Sequence, residues 1–354
     1  MKLLSVSFPE ELTFGDEFEG QVTFANVGGE QVEENAEIQL HRLTTGDEEP
    51  QTAELNAEGL KSGETKSHSI GRFEATAAGD YRLESGVNVY SLAEEIEPLV
   101  SVEPAEYDRN TQIELPDGLR YTVTDVRFEQ SLLNVNSDGR PELRTTLEDR
   151  ILAVFNLTVA NPQTDSREVS AERISVPNGS GITGMNDPVL EGEQLSGRVV
   201  NPGESVTGWM AFVVPQDSLA DLTFGINLAG TDSPAEAIVD VGQESPSVPQ
   251  FELAEQTFPA TFNDDETEFT FEIANTGDEA GTFRGLIEFL FLEDPGIFSS
   301  YQEDTWYKLD GSAMTAVIPP GDTRTVSATT SYSGDIEVNY RLQPFGYEQT
   351  VKPN

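Results

Sequence analysis

Cysteine is absent from the chain, which removes disulfides, thiolate metal sites and thiol catalysis before any other residue is read. Histidine is nearly absent too. His41 and His68 are the only two, so no imidazole is available for general-base work beyond the first third of the chain, and the two share no metal-ligand spacing. Lysine supplies only 5 of the 20 cations. No run approaches the roughly 18 apolar residues needed to cross a bilayer, and the most apolar stretch, Leu286 to Leu292, is broken by Glu288. No segment sustains an apolar period of about 3.6 residues, so little helix is expected. Neither a Walker-type Gly-Lys nor a G-x-S-x-G elbow occurs. The start, Met1-Lys2-Leu3-Leu4, resembles the opening of a signal peptide, but Pro9-Glu10-Glu11 cuts the apolar run short.

What the chain has in excess is acid. Its 64 Asp and Glu against 20 Lys and Arg give a formal charge of −44 over 354 residues. Phosphates would be repelled from nearly every face, so a nucleic-acid partner is excluded on electrostatic grounds. Disorder is not implied, because 36% of the residues are apolar and 19 are Phe, spaced as strands require. At molar salt the screening length shrinks to about 3 Å and self-repulsion on this scale becomes tolerable. The composition therefore points to a protein built for brine, and its acidic, Lys-poor character resembles that of proteins from extremely halophilic archaea.

Three segments repeat one another. Residues 22–28, 157–163 and 271–277 read VTFANVG, LTVANPQ and FEIANTG, each an alternating strand that ends in Ala-Asn and a turn. Each is followed at a distance by a second turn signal: Ser62-Gly63-Glu64-Thr65, Pro202-Gly203-Glu204-Ser205 and Pro320-Gly321-Asp322-Thr323. The expected fold class is all-β, as three tandem immunoglobulin-like β-sandwich domains at 1–104, 105–243 and 250–354, each near the size such a sandwich needs. A polar insertion is expected at 131–149. Glu244-Ser-Pro-Ser-Val-Pro249 reads as a short, stiff linker.

The first and third modules resemble the cell-adhesion-related Ig-like domains of bacterial and archaeal surface proteins. The resemblance rests on Ala25-Asn26-Val27-Gly28, Gly63-Glu64 and Gly79-Asp80-Tyr81, and on Ala274-Asn275-Thr276-Gly277, Pro320-Gly321-Asp322 and Gly334-Asp335-Ile336, where Ile336 departs from the usual Tyr. The second resembles a telokin-like, Ig-type domain of unknown function found in prokaryotic lipoproteins, through Tyr121 to Val126, Leu157 to Asn161, Asn201 to Gly208 and Phe212 to Pro215. Such motifs specify fold rather than chemistry. The resemblance implies a non-catalytic, extracellular cell-surface chain whose partner is another protein or an envelope component, and which meets the membrane only through a lipid anchor. The lipobox Cys of such lipoproteins is not in this sequence. A virion or appendage component is the alternative reading, and a sugar-binding or enzyme accessory chain a third.

Candidate sites are few. Asn134, Asn136, Asp138 and Glu142 place oxygens at alternating positions around Gly139, as a calcium loop does, but Thr145 stands where a bidentate Glu is expected, and a solvated Asx-rich turn is the preferred reading. Calcium is thus the one candidate ion, and no organic cofactor is expected. Gly179-Ser-Gly181-Ile-Thr-Gly184 spells a dinucleotide fingerprint without the strand and helix that give it meaning, and reads as a loop. Phe298, Tyr301, Trp306 and Tyr307 gather aromatic rings around a polar stretch and form a candidate recognition patch, with entry of Trp306 and Tyr307 into the next strand as the competing reading. Asn178 and Asn156 match the N-glycosylation pattern. With 64 acids any carboxylate spacing arises by chance, so a glycosidase-type pair carries no signal.

Overall fold

The computed structural model describes all residues except 43–49, 86–90, 93–99, 115–117, 136–140, 147–148, 228–234, 243–246, 260, 263–266, 293–304, 331–336 and 354. Strands dominate, and the described helical structure is two short 3-10 turns, Ala171–Arg173 and Gln216–Ser218. The all-β, immunoglobulin-like expectation holds. The chain forms two compact units. One comprises Met1–Leu119, Glu172–Ser175 and Thr223–Asp240; the other comprises Arg120–Ala171, Val176–Leu222 and Val241–Asn354. The segment expected as a middle domain at 105–243 is thus shared between them.

In the first unit, the strand Glu17–Ala25 shows why alternation makes a sandwich. Phe18, Val22 and Phe24 point inward and are buried, while Glu17, Glu19 and Gln21 face water. Its sheet runs in the order Thr65–Glu74, Glu17–Ala25, Lys2–Ser7, Ser91–Leu92. The facing sheet runs Leu12–Thr13, Val100–Glu103, Gly79–Ser85, Ala36–Arg42, Gln51–Leu55. Leu3, Phe24, Ile38, Leu40, Leu55, Phe73 and Leu83 interlock between the two as one core. Each fully buried side chain of this kind contributes about 1.5–3 kcal/mol. Tyr81 closes one corner: its hydroxyl donates to the Ala77 carbonyl at 2.8 Å and accepts from the Ala77 amide at 3.1 Å. A tyrosine bonded back to the backbone just upstream is a mark of immunoglobulin-like sandwiches. A third sheet of this unit runs Ala105–Tyr107, Ala237–Asp240, Thr223–Ile226, Ile174–Ser175.

The second unit holds a sheet in the order Arg120–Glu129, Arg150–Ala160, Ser205–Pro215, Ser180–Ile182. It also holds a complete sandwich. One layer is Phe251–Thr257, Thr267–Asn275, Thr323–Thr330; the other is Thr261–Phe262, Tyr347–Pro353, Val338–Gln343, Gly281–Phe291, Trp306–Ile318. Phe269, Phe271, Ile273, Phe289, Tyr340 and Val351 fill the space between the layers.

One expectation needs correcting here. The polar insertion at 131–149 contains a β-hairpin, Ser131–Val135 paired with Pro141–Thr145, and Leu132 packs with Leu152, Val154, Met185, Leu190 and Trp209. The apolar pair Leu132-Leu133 has a sheet face to cover, so this part of the insertion is no solvated loop. The described end of the linker, Val248 and Pro249, lies against the turn after Asn275, where a Cβ on Gly277 would stand 2.3 Å from the Val248 carbonyl oxygen, and Gln250 just beyond it accepts from Thr276 N–H at 2.7 Å.

Candidate functional site

The recurring Ala-Asn pairs are the first residues to examine as a site, and their geometry shows what they are for. Asn26, Asn161 and Asn275 are all buried. Each amide Nδ2 donates to two carbonyls: Glu30 at 2.7 Å and Leu60 at 2.9 Å, Asp165 at 2.7 Å and Val200 at 2.9 Å, Glu279 at 2.7 Å and Ile318 at 2.9 Å. Each Oδ1 accepts from the amide two residues on, in Gly28, Gln163 and Gly277, at 2.9 to 3.0 Å. The backbone of each Asn then grips the second turn signal, its carbonyl taking the N–H of Gly63, Gly203 and Gly321 at 2.7 to 2.8 Å. Those three glycines sit at φ +78°, +74° and +73°, a region costly for any side chain, which is why the second signal carries Gly. One cage, built three times, joins the two sequence motifs. It satisfies buried backbone groups, and in all three copies both side-chain polar atoms of the Asn are engaged.

The first copy differs at its rim. Met1 and Asn26 to Glu34 line an open cleft of about 640 Å³. Val27 is 63% exposed there, one of the most exposed large apolar side chains among the described residues. Glu30, Glu33 and Glu34 give the cleft its charge.

A second constellation was not legible in advance. Arg284 is 0% exposed in the strand Gly281–Phe291, with Nη1 2.9 Å from Glu129 Oε2 and Nε 2.8 Å from Asp187 Oδ2. Asp187 also accepts from the Leu133 and Val189 amides, both at 2.9 Å. Arg127 Nε lies 3.9 Å from the other Glu129 oxygen. Burial pushes the Glu129 carboxyl above its ordinary range, and the Arg284 guanidinium only partly pulls it back. Two cations against two anions leave the cluster neutral. It fastens the hairpin, the 185–190 segment and the strand Arg120–Glu129 to the third sandwich, all inside one compact unit.

Asn134 is buried and its Oδ1 accepts from the Asn186 amide at 2.9 Å, a structural bond; Glu142 pairs with Arg144 at 3.1 Å; Asn136 and Asp138 lie outside the described residues. No cluster of three or more His, Asp or Glu side chains able to hold a metal is found among the described residues. Trp306 and Tyr307 open the strand Trp306–Ile318, as the competing reading has it. Tyr307 packs 5.6 Å from Phe289, and Trp306 carries the Arg341 guanidinium at 4.0 Å, itself paired with Glu288 at 2.6 Å. Phe298 and Tyr301 lie outside the described residues. Within the dinucleotide-like stretch, Ser180–Ile182 is a short strand paired with Ser205–Pro215 rather than loop. Asn178 is exposed at a turn with φ +57°, whereas Asn156 is half-buried in a central strand between Asp125 and Trp209.

Comparison with known proteins gives a family likeness for part of the chain. Residues 116–233, about a third of the length, match a domain of unknown function (DUF4352). No curated protein matches. Among solved structures, an uncharacterized β-sandwich protein from Clostridium difficile 630 is similar at 10% identity and a TM-score of 0.27, covering 39% of this chain and 95% of its own.

Proposed function

We propose that this chain is a non-catalytic interaction ectodomain of a halophilic archaeon, displayed at the cell surface with a lipid anchor as its means of attachment, and that its partner is a protein or an envelope component. The observation that supports it most is how the polar groups are divided. Inside, the recurring polar residues are spent on holding backbone, as the three Asn cages and the Arg284 cluster show. Among the described residues only Glu129, Asp187, Glu236 and Glu288 are buried acids, so most of the carboxylates described face water, in a chain of net charge −44 with 5 Lys. A frame that commits its buried polar atoms to rigidity leaves loops and rims to do the recognising. The test is to treat intact host cells with a membrane-impermeant label and with external protease. Labelling and shaving before lysis are expected; a chain reached only after lysis contradicts the surface assignment.

A further inference from the structure

Residues 176–186 include no Asp, Glu, Lys or Arg. Other charge-free stretches, such as 151–160 and 206–214, are strands in the middle of a sheet and mostly buried. This one is not. Pro177, Asn178, Ser180, Thr183 and Asn186 are exposed along it, and the strand Ser180–Ile182 ends its sheet. A protein of net charge −44 relies on exposed carboxylates for its hydration and solubility, and this segment supplies none.

The same segment holds one of the two N-x-[ST] patterns, Asn178-Gly179-Ser180. Asn178 stands at the tip of a turn in which Gly179 N–H donates to the Val176 carbonyl at 2.8 Å. Its φ of +57° is one that asparagine tolerates better than most residues, and Arg150 Nη2 donates to its carbonyl at 2.9 Å. The backbone is therefore held, while the two groups that define the pattern are free. Among the described residues no hydrogen bond engages the Asn178 carboxamide or the Ser180 hydroxyl. Asn156 has the same pattern in the opposite setting. It is half-buried, and its strand lies between two others whose ladders hold its backbone extended opposite Asp125 and Trp209, where no turn can present it.

We propose that Asn178 is modified with an N-linked saccharide and that Asn156 is not. The donor is a lipid-phosphate-linked saccharide. In the transfer, Asn178 Nδ2 bonds to the anomeric carbon of the sugar, the bond from that carbon to the phosphate oxygen breaks with its electron pair leaving on phosphate, and one Nδ2 proton passes to a base of the transferase. The glycan supplies hydration to the one exposed segment named here that lacks carboxylates. The inference rests on the surface reading above, since acceptors of this pattern belong to exported chains.

The test is peptide mass spectrometry on the full chain purified from the cells that make it. Trypsin cuts after Arg150, Arg167, Arg173 and Arg198, which places the two patterns on separate peptides, residues 151–167 and 174–198. The 174–198 peptide is expected to be heavier than its sequence by whole sugar residues, and the 151–167 peptide to have its sequence mass. Ser180→Ala should abolish the increment while leaving Asn178 in place, and Ser180→Thr, which keeps the pattern, should retain it. Both variants change an exposed side chain without a hydrogen-bond partner, so both should fold, as circular dichroism in molar KCl would show. A bare 174–198 peptide, sugar retained in Ser180→Ala, or sugar on Asn156 would each overturn the proposal. External labelling of the same cells separates it from the surface reading: a chain labelled before lysis yet bare at Asn178 overturns the glycan alone, whereas a bare chain reached only after lysis removes both.

Discussion

Asn26, Asn161 and Asn275 each close a cage of five hydrogen bonds from one side chain and its backbone, so no other residue type can replace them. An aspartate lacks the two N–H donors, and an alanine leaves two buried carbonyls and an amide unpaired. Asn275→Ala is expected to lower stability by about 2–4 kcal/mol in denaturant titrations at molar KCl, far beyond a surface Asn→Ala such as Asn201→Ala. These residues were visible in the sequence because they recur three times with their turns. Arg284 is a different case. A lone cation between Phe283 and Leu286 was noticeable as a break in an apolar run, but its partners Glu129 and Asp187 could not be singled out from 64 acids. Arg284→Met should cost about 3–5 kcal/mol by leaving two buried carboxylates uncompensated, and adding Glu129→Gln should recover part of that loss. The raised Glu129 pKa fixes a sign as well. The folded state holds this proton more tightly than the unfolded chain, so its contribution is full below the ordinary glutamate range and is lost as pH rises through the raised value. The stability difference between the native chain and Glu129→Gln should therefore shift in favour of the variant as pH is taken upward from about 4.

At the scale of elements, the strands were readable because inward and outward residues alternate, as Phe269, Phe271 and Ile273 do against Glu268, Thr270 and Glu272. The turn glycines were readable for a related reason, since a positive φ excludes most other residues. Gly203→Ala, at φ +74°, should cost about 1–2 kcal/mol, whereas the same change at Gly29, which has open space and no such φ, should be nearly silent; paired denaturation curves compare the two. What alternation did not reveal is packing between elements. The hairpin at Ser131–Val135 and Pro141–Thr145 was hidden by the polar residues at its tip, and the docking of Val248 and Pro249 against Gly277 was hidden by a linker-like composition. For the aromatic stretch the sequence offered both a recognition patch and entry into the next strand; Trp306 and Tyr307 take the second, beside Arg341 and Phe289. Both gaps arise where a segment's partner is distant in sequence.

For the whole molecule, the decisive quantity is charge. A net −44 is carried on sandwiches whose interiors are ordinary, so folding must work against repulsion that the unfolded chain can relieve by expanding. The screening length falls from about 10 Å at 0.1 M salt to about 3 Å at 1 M, which removes most of that repulsion while leaving the apolar core and the Asn cages intact. The most direct measurement is the thermal unfolding midpoint of the purified chain as a function of KCl from 0.1 to 3 M, at pH 7. A steep rise through the molar range, with partial or complete unfolding at the low end, is the expected result; a midpoint that stays level or falls as salt is added would contradict it.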